Sequence, residues 1–191
     1  MSVMRGAGIA LGLVLLLAGC TDASSGVESG GGQGFVSGDG SAQVIAAGDR
    51  AVAPEVSGTT LDGQPLALSD FAGDVVVVNV WGSWCAPCRA EAEALQQVYL
   101  DNKHDGVRFV GLNTRDQQAA ALAFEQRFGI TYPSLVDENG ELQLAFRDSL
   151  PPNAIPSTLV IDREGAIAAR VVGPTTYSQL SELVGDVAAE S

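Results

Sequence analysis

The sequence predicts an α/β domain in which a central mixed β-sheet is flanked by helices. Its clearest strand is Val75–Trp81, a β-branched, apolar run of the kind found in buried strands. The segment that follows, Ala90–Asn102, is rich in Ala, Glu, Leu and Gln and is expected to be a helix. Strands and helices then alternate, which indicates parallel strands with right-handed crossovers, and a later hairpin makes the sheet mixed.

The N-terminal part of this domain is expected to form two hairpins and a helical turn. Turn residues between short apolar runs indicate the hairpins, the second of which turns at Asp62-Gly63. The helical turn is Ser69–Gly73, with Ser69 as its N-cap. The expected hairpins pair Phe35–Val36 with Gln43–Ile45, as an N-terminal extension, and Val56–Leu61 with Pro65–Leu68.

The elements after the first helix follow from apolar periodicity and end signals. Gly129 is suited to ending a helix whose apolar face carries Ala121, Phe124 and Phe128. The turn Asp162–Gly165 joins two antiparallel strands. The expected strands are Val107–Leu112, Ser134–Val136, Ser157–Ile161 and Ile167–Val172, and the expected helices are Asp116–Phe128, Gly140–Phe146 and Thr176–Ala189, the last capped near Thr176.

Length and charge limit the classes of function. The chain has 191 residues, enough for one domain of ordinary size, and its apolar content of 46% supports a packed core. Acidic residues outnumber basic ones by 23 to 10, which gives a formal net charge of −13. Nucleic acid and anionic membrane surfaces are therefore poor electrostatic partners, and no nucleic-acid binding is expected.

The N-terminus is expected to be a targeting segment. Arg5 precedes the apolar stretch Ile9–Ala18, which is too short to span a bilayer but suits the apolar region of a signal peptide. The stretch ends in Leu-Ala-Gly-Cys20, which resembles the lipobox of bacterial lipoproteins. This resemblance implies a signal peptide over residues 1–19, cleavage before Cys20 and acylation of its thiol. The alternative is an ordinary secretory signal in which this Cys is incidental.

A flexible tether and one folded domain are expected after Cys20. Residues 20–34 are rich in Gly and Ser and should hold the domain off the membrane without order of their own. The domain spans residues 35–191, with its core at 53–188. If lipid modifies Cys20, the remaining two cysteines can bridge only each other or a partner's thiol.

Those two cysteines, Cys85 and Cys88, lie where the central strand turns into the helix. A thiol at a helix N-terminus faces unsatisfied N–H groups and the positive end of the helix dipole, which favour the thiolate. We expect Cys85 to be the exposed, attacking sulfur and Cys88 the shielded, resolving sulfur. Pro87 between them fixes φ where the helix needs no N–H donor and keeps the helix start rigid.

Two other interpretations of the cysteine pair are weaker. A zinc site would need about two more ligands, and only His104 and carboxylates are left to supply them. His104 lies at a helix end and is expected to be solvated. A structural staple would close too small a loop to constrain the unfolded chain much. A redox-active dithiol is therefore favoured, with no cofactor beyond the Cys85–Cys88 disulfide.

The order of strand, Trp84-Cys-Ala-Pro-Cys88, helix and then Ile155-Pro156-Ser-Thr before another strand resembles the thioredoxin fold. More narrowly, the sequence resembles the membrane-tethered ResA/TlpA group of extracytoplasmic thiol–disulfide oxidoreductases over roughly residues 53–188. This narrower resemblance depends on the run Val-Asn-Val-Trp-Gly-Ser-Trp-Cys, on Glu91 and on an inserted β/α segment. Residues 35–46 also resemble the leader of actinobacterial lipoproteins of this type.

The resemblance implies roles for residues around the dithiol. Pro156 is expected to be cis, so that the Ile155 backbone faces the sulfurs and can pair with an extended substrate segment. The alternative is an ordinary trans proline. Trp84 is expected to pack beside Cys85 and to present a surface to partners, although plain core packing is equally open. Asn79 occupies the place of a buried Asp that accepts protons in thioredoxins, which leaves that role to Glu91 or to no residue.

Glu91 is predicted to lie on the buried face of the helix. It belongs to a stripe of residues spaced three and four apart, whose apolar members point inward. A carboxyl group in apolar surroundings has a raised pKa, so Glu91 could move a proton to or from Cys88. The alternative is a solvated first-turn Glu stabilised by the helix dipole. The stripe is Cys88, Glu91, Leu95, Val98 and Asn102, whereas Glu93 faces elsewhere and Asp137 and Glu138 are expected to be solvated.

The leading functional prediction is an exported thiol–disulfide oxidoreductase that reduces protein disulfides and is anchored as a lipoprotein to the outer face of the cell membrane. The resemblance suggests apocytochrome c as one client and a membrane thiol electron donor of CcdA/DsbD type. An oxidase or isomerase, a peroxidase of the peroxiredoxin type and a tethered binding domain with a vestigial dithiol are the alternatives. The peroxidase is disfavoured because Gly82-Ser83-Trp84 replaces the Thr-containing loop expected before its cysteine.

Overall fold

A computed structural model describes residues 38–190 of the chain. The predicted signal peptide over 1–19, the lipidated Cys20, the linker over 20–34 and the strand Phe35–Val36 lie outside the described residues. Within 38–190, none of the helices combines the length and the apolar character needed to cross a membrane.

The described residues form eight strands and four α-helices, which confirms the predicted α/β class. The strands are β1 (Ser41–Val44), β2 (Ser57–Thr59), β3 (Pro65–Ala67), β4 (Val75–Trp81), β5 (Val107–Thr114), β6 (Ser134–Asp137), β7 (Ser157–Ile161) and β8 (Ile167–Val172). The helices are α1 (Ala86–Asn102), α2 (Gln118–Phe128), α3 (Glu141–Ala145) and α4 (Tyr177–Ala189).

The main sheet has six strands among the described residues, in the order β1-β8-β7-β4-β5-β6. β4 pairs in parallel with β5, and β5 with β6. β7 and β8 form the expected hairpin and join β4 in the antiparallel sense. The predicted mixed sheet is therefore confirmed, with β4 at its centre.

Both faces of β4 are covered, which is why this strand is apolar along nearly its whole length. Val76, Val78 and Val80 belong to a cluster that includes Phe124 of α2. Val75 and Val77 point to the other face, where a second cluster contains residues of α1 and α4. All seven residues of the strand are buried, so the cysteine motif that follows its C-terminal end is attached to a rigid strand.

The second predicted hairpin is confirmed, and the first is only partly described. β2 and β3 pair as an antiparallel two-stranded sheet, with Gly63 at φ +84° in the turn between them. Gln43 and Val44 lie in β1, which pairs with β8 at the edge of the main sheet. The predicted hairpin partner of this strand lies among the residues that are not described.

Three local expectations need correction. The predicted helical turn is present as a 3₁₀ turn, Leu68–Phe71, but its N-cap residue is Ala67 and not Ser69, and the Ala67 N–H group donates to Asp70. α2 starts at Gln118, two residues later than predicted, with Gln117 as its N-cap residue. Asp137 is buried and not solvated, since it accepts the N–H groups of Leu142 and Gln143 at the start of α3.

Candidate active site

The two cysteines of the motif form a disulfide at the N-terminus of α1, where the sequence predicted them. Cys85 is the N-cap residue, and its Cα lies 5.3 Å from that of Cys88. The Cys88 N–H group donates to Cys85 Sγ over 3.2 Å. In the reduced protein this amide, together with the helix dipole, would stabilise a thiolate on Cys85.

The expectation that Cys85 is exposed is wrong for the disulfide form. Cys85 is 4% exposed and Cys88 is 2% exposed, so both are buried and differ little. Tertiary packing explains this burial, because both cysteines lie in the same apolar cluster as Ile155, a residue distant in the chain. Trp84 is half-buried and packs against this cluster, and Pro87 is also half-buried.

The loop before Cys85 is held by a residue that sequence reasoning missed. One oxygen of Asp116 accepts the Ser83 N–H group at 2.6 Å, and the other accepts the Ser83 hydroxyl at 2.8 Å. Asn113 donates to the same carboxylate, and Arg89 of α1 donates to the Ser83 carbonyl. Asp116 follows β5, which runs parallel to β4 as its neighbour. A polar side chain at this position in the sequence is the signal that could have indicated a contact with the loop before Cys85.

Glu91 lies inside the protein, as the helical stripe predicted. Glu91 is 1% exposed, which excludes the alternative of a solvated Glu in the first turn. Glu93, in contrast, is exposed. Burial is the main cause that raises the pKa of Glu91 from 4.5 to about 7, although two hydrogen bonds to the carboxylate act in the opposite direction. The carboxyl group is thus able to gain or lose a proton near neutral pH.

The two donors to Glu91 come from different elements. The Asn79 side chain of β4 donates to Oε1 at 3.0 Å, and the Thr175 backbone N–H group donates to Oε2 at 2.9 Å. Asn79 also donates to the hydroxyl of Thr158 on β7. Asn79, which the sequence identified only as a departure from thioredoxins, therefore binds the acid–base candidate. Thr175 was missed because a backbone donor leaves no residue-type signal.

The peptide bond between Ile155 and Pro156 is cis, as predicted. Both residues are buried and lead directly into β7, which lies beside β4. The Pro156 carbonyl accepts the N–H group of Gly173 at 2.9 Å. The structure therefore brings Ile155 and both cysteines into one apolar cluster.

Of two further titratable side chains, Tyr132 lies near the dithiol and His104 lies at the other end of α1. Tyr132 borders a small cavity together with Cys88 and Asn79, and burial followed by the nearby Glu91 charge raises its pKa, so it stays neutral. His104 is exposed at the end of α1, as expected. Within residues 38–190, no three His, Cys, Asp or Glu side chains are grouped as ligands of a metal ion would be.

The sequence matches the model of the Redoxin family over residues 46–186. The chain belongs to the Redoxin family. Among curated proteins, this Redoxin is 30% identical to the thiol-disulfide oxidoreductase ResA of Bacillus thuringiensis subsp. konkukian over 130 residues, which are 68% of this chain and 73% of the relative. This likeness shows that the chain is a thiol–disulfide oxidoreductase of the ResA/TlpA type, as the motif resemblance implied.

Solved structures confirm the thioredoxin-like fold of this Redoxin. A secreted thiol-disulfide isomerase from Corynebacterium glutamicum superposes with a TM-score of 0.73 at 32% identity, covering 84% of this chain and 100% of the other. A DsbF homologue from Corynebacterium diphtheriae gives a TM-score of 0.69 at 32% identity, covering 78% and 94%. Membership of this family of thiol–disulfide oxidoreductases argues against the alternative of a binding domain with a vestigial dithiol.

Proposed function

We propose that this Redoxin is a lipid-anchored, extracytoplasmic reductase of protein disulfides, in which Cys85 attacks, Cys88 resolves and Glu91 carries the proton. The observation that carries the proposal is the placement of a buried carboxyl group, with a pKa near neutrality, on the same helix stripe as Cys88 and one turn beyond it. The N-cap position of Cys85 supports its role as the nucleophile.

The first half of the reaction is attack on the client. The Cys85 thiolate attacks one sulfur of a client disulfide, which forms a mixed disulfide and releases the other client sulfur as a thiolate. The amide of Cys88 stabilises the thiolate before attack because it points at Cys85 Sγ. Ile155 and Trp84 lie beside the cysteine pair and are proposed to contact the client segment.

The second half releases the client. The Cys88 thiol loses its proton to the Glu91 carboxylate, attacks Cys85 Sγ and expels the second client thiol. Two electrons pass to the client, and the protein is left with the disulfide seen in the structure. A membrane thiol donor of CcdA/DsbD type would then return two electrons, and apocytochrome c is a proposed client.

A trapping experiment tests the roles of the two sulfurs. In Cys88→Ala the mixed disulfide cannot be resolved, so Cys85 should stay covalently linked to its clients, which can be identified by mass spectrometry after non-reducing gels. Cys85→Ala is the matched control and should trap little. Equal trapping by the two variants would contradict the assignment of Cys85 as the attacking sulfur.

An isomerase or oxidase is the second candidate, because the C. glutamicum relative is described as a secreted thiol-disulfide isomerase. The reduction potential of the Cys85–Cys88 couple separates the candidates. A value close to that of thioredoxin, about −270 mV, fits a reductase, whereas a value near −120 mV fits an oxidase. Equilibration with glutathione or dithiothreitol buffers measures it.

A further inference from the structure

A short loop between β8 and α4, Gly173–Thr175, contacts both Glu91 and the cis-proline segment. The Thr175 N–H group donates to Glu91 Oε2 at 2.9 Å. The Gly173 N–H group donates to the Pro156 carbonyl at 2.9 Å. Both contacts use backbone donors, so the position of this loop determines whether they exist.

The other side of this loop is bound by the N-terminal arm, which we define as residues Gly38–Val44. The Gly40 N–H group donates to the carbonyl of Val172, immediately before the loop, at 2.9 Å. The side chain of Gln179, in the first turn of α4, joins the arm to the loop. Its amide nitrogen donates to the Gly40 carbonyl at 3.0 Å, and its amide oxygen accepts the Thr175 hydroxyl at 2.9 Å.

The arm and the loop approach so closely that side chains are excluded from the contact. A Cβ on Gly40 would lie 2.5 Å from the Pro174 carbonyl oxygen, and Gly40 also has φ +77°. A Cβ on Gly173 would lie 2.5 Å from both Gly38 O and Gly40 N. A Cβ on Gly38 would overlap the Val172 carbonyl. Displacement of the arm would therefore push directly on the loop that donates to Glu91.

We propose that Gly40 and Gln179 are positioning residues of the oxidoreductase, which hold the Thr175 N–H group against the Glu91 carboxylate while it exchanges a proton with Cys88. The N-terminal arm thereby acts on the proton-carrying group through the Gly173–Thr175 loop and not by contact with the client. This inference rests on the proposed role of Glu91.

The direction of the expected effect follows from the donors around Glu91. The Thr175 N–H group favours the charged carboxylate, as does the Asn79 amide, while burial favours the neutral acid. Tyr132, which precedes β6, interacts electrostatically with Glu91 and stays neutral, and Cys88 does not titrate in the oxidised protein. Without the Thr175 hydrogen bond, only the Asn79 hydrogen bond is left to counter the effect of burial. The pKa of Glu91 should therefore rise.

The test compares two substitutions with two matched controls. Gly40→Ala drives a methyl group into the Pro174 carbonyl, whereas Gly48→Ala lies farther along the same N-terminal segment, where no atom is within 4 Å of an added Cβ. Gln179→Leu removes both bonds of the side chain that links arm and loop. Gln97→Leu makes the same exchange on the exposed face of α1, where the amide donates to Asp101.

The measurement is the pH titration of the Glu91 carboxyl carbon by NMR in the oxidised full-length chain, with Glu91→Gln identifying the resonance. Gly40→Ala and Gln179→Leu are expected to raise the pKa of Glu91 by about half a pH unit or more, and the controls to leave it within about 0.2. Gln179→Leu keeps the test valid if Gly40→Ala fails to fold. An unchanged or lowered pKa in the folded variants would overturn the inference.

A second readout separates this inference from the proposed function. The rate at which Cys88 resolves a mixed disulfide is followed from pH 5 to 9, and its midpoint should move upward with the pKa of Glu91 in Gly40→Ala and Gln179→Leu. If Glu91→Gln leaves this profile unchanged, the proposed role of Glu91 is wrong. The NMR titration still decides, independently of activity, whether the arm positions the Thr175 donor.

Discussion

At the scale of single residues, Glu91 combines two conditions that are difficult to satisfy together. A buried carboxyl group is costly to ionise, yet proton transfer from Cys88 requires the ionised form. Two hydrogen bonds from Asn79 and Thr175 reduce this cost and keep the pKa near 7 rather than higher. Glu91 can therefore exist in both protonation states at neutral pH, which is the property that a proton carrier needs.

Replacing Glu91 with Gln should slow the resolving step about a hundredfold above pH 7, because general-base assistance is lost. Below pH 7 the difference should shrink, since the native carboxyl group is then protonated and cannot accept the Cys88 proton. Stopped-flow fluorescence with a model mixed disulfide measures the rate. Glu93→Gln, on the exposed face of α1, serves as the control. Equal pH profiles for Glu91→Gln and the native protein would contradict the assignment.

At the scale of elements, the turn from β4 into α1 is held by a side chain that follows β5. Asp116 accepts the N–H and hydroxyl groups of Ser83, two residues before Cys85. β4 and β5 are parallel neighbours, so the residues after their C-terminal ends meet at one edge of the sheet. The nucleophile is therefore positioned by two strands and not by its own helix alone.

The Asp116→Ala variant should lose about 2 kcal/mol of unfolding free energy, because hydrogen bonds to a charged acceptor disappear and the Ser83 N–H group loses its partner. Urea denaturation of the oxidised protein measures the loss. Ser83→Ala removes only the hydroxyl bond and should cost less, about 1 kcal/mol. A cost for Ser83→Ala as large as that for Asp116→Ala would show that the backbone bond contributes little.

At the scale of the whole molecule, Glu91 links stability to pH in the direction opposite to that of most carboxylates. Its pKa is near 4.5 when unfolded and about 7 when folded, so the folded state binds more protons between these values. The free energy of unfolding should therefore decrease as pH rises from about 4.5 to 7. Above pH 7 the full cost of the buried charge is present.

The oxidised protein allows this linkage to be measured without titrating thiols. Relative to Glu91→Gln, the native chain should lose roughly 2–3 kcal/mol of unfolding free energy between pH 5 and pH 8. Denaturant titrations of both proteins across this range give the difference, in which the other titrating groups cancel. A difference that stays constant with pH would mean that Glu91 is charged throughout.

The sequence alone determined the central strand, the mixed sheet and the cysteine pair at a helix start, and it favoured the burial of Glu91, because each follows from local periodicity or from adjacent residues. Only the tertiary structure decided what surrounds them. The burial of Cys85, the Asp116 bond to Ser83 and the Thr175 donor to Glu91 all join segments distant in the chain. The Thr175 contact uses a backbone N–H group that every residue except proline carries, so no residue pattern could indicate it.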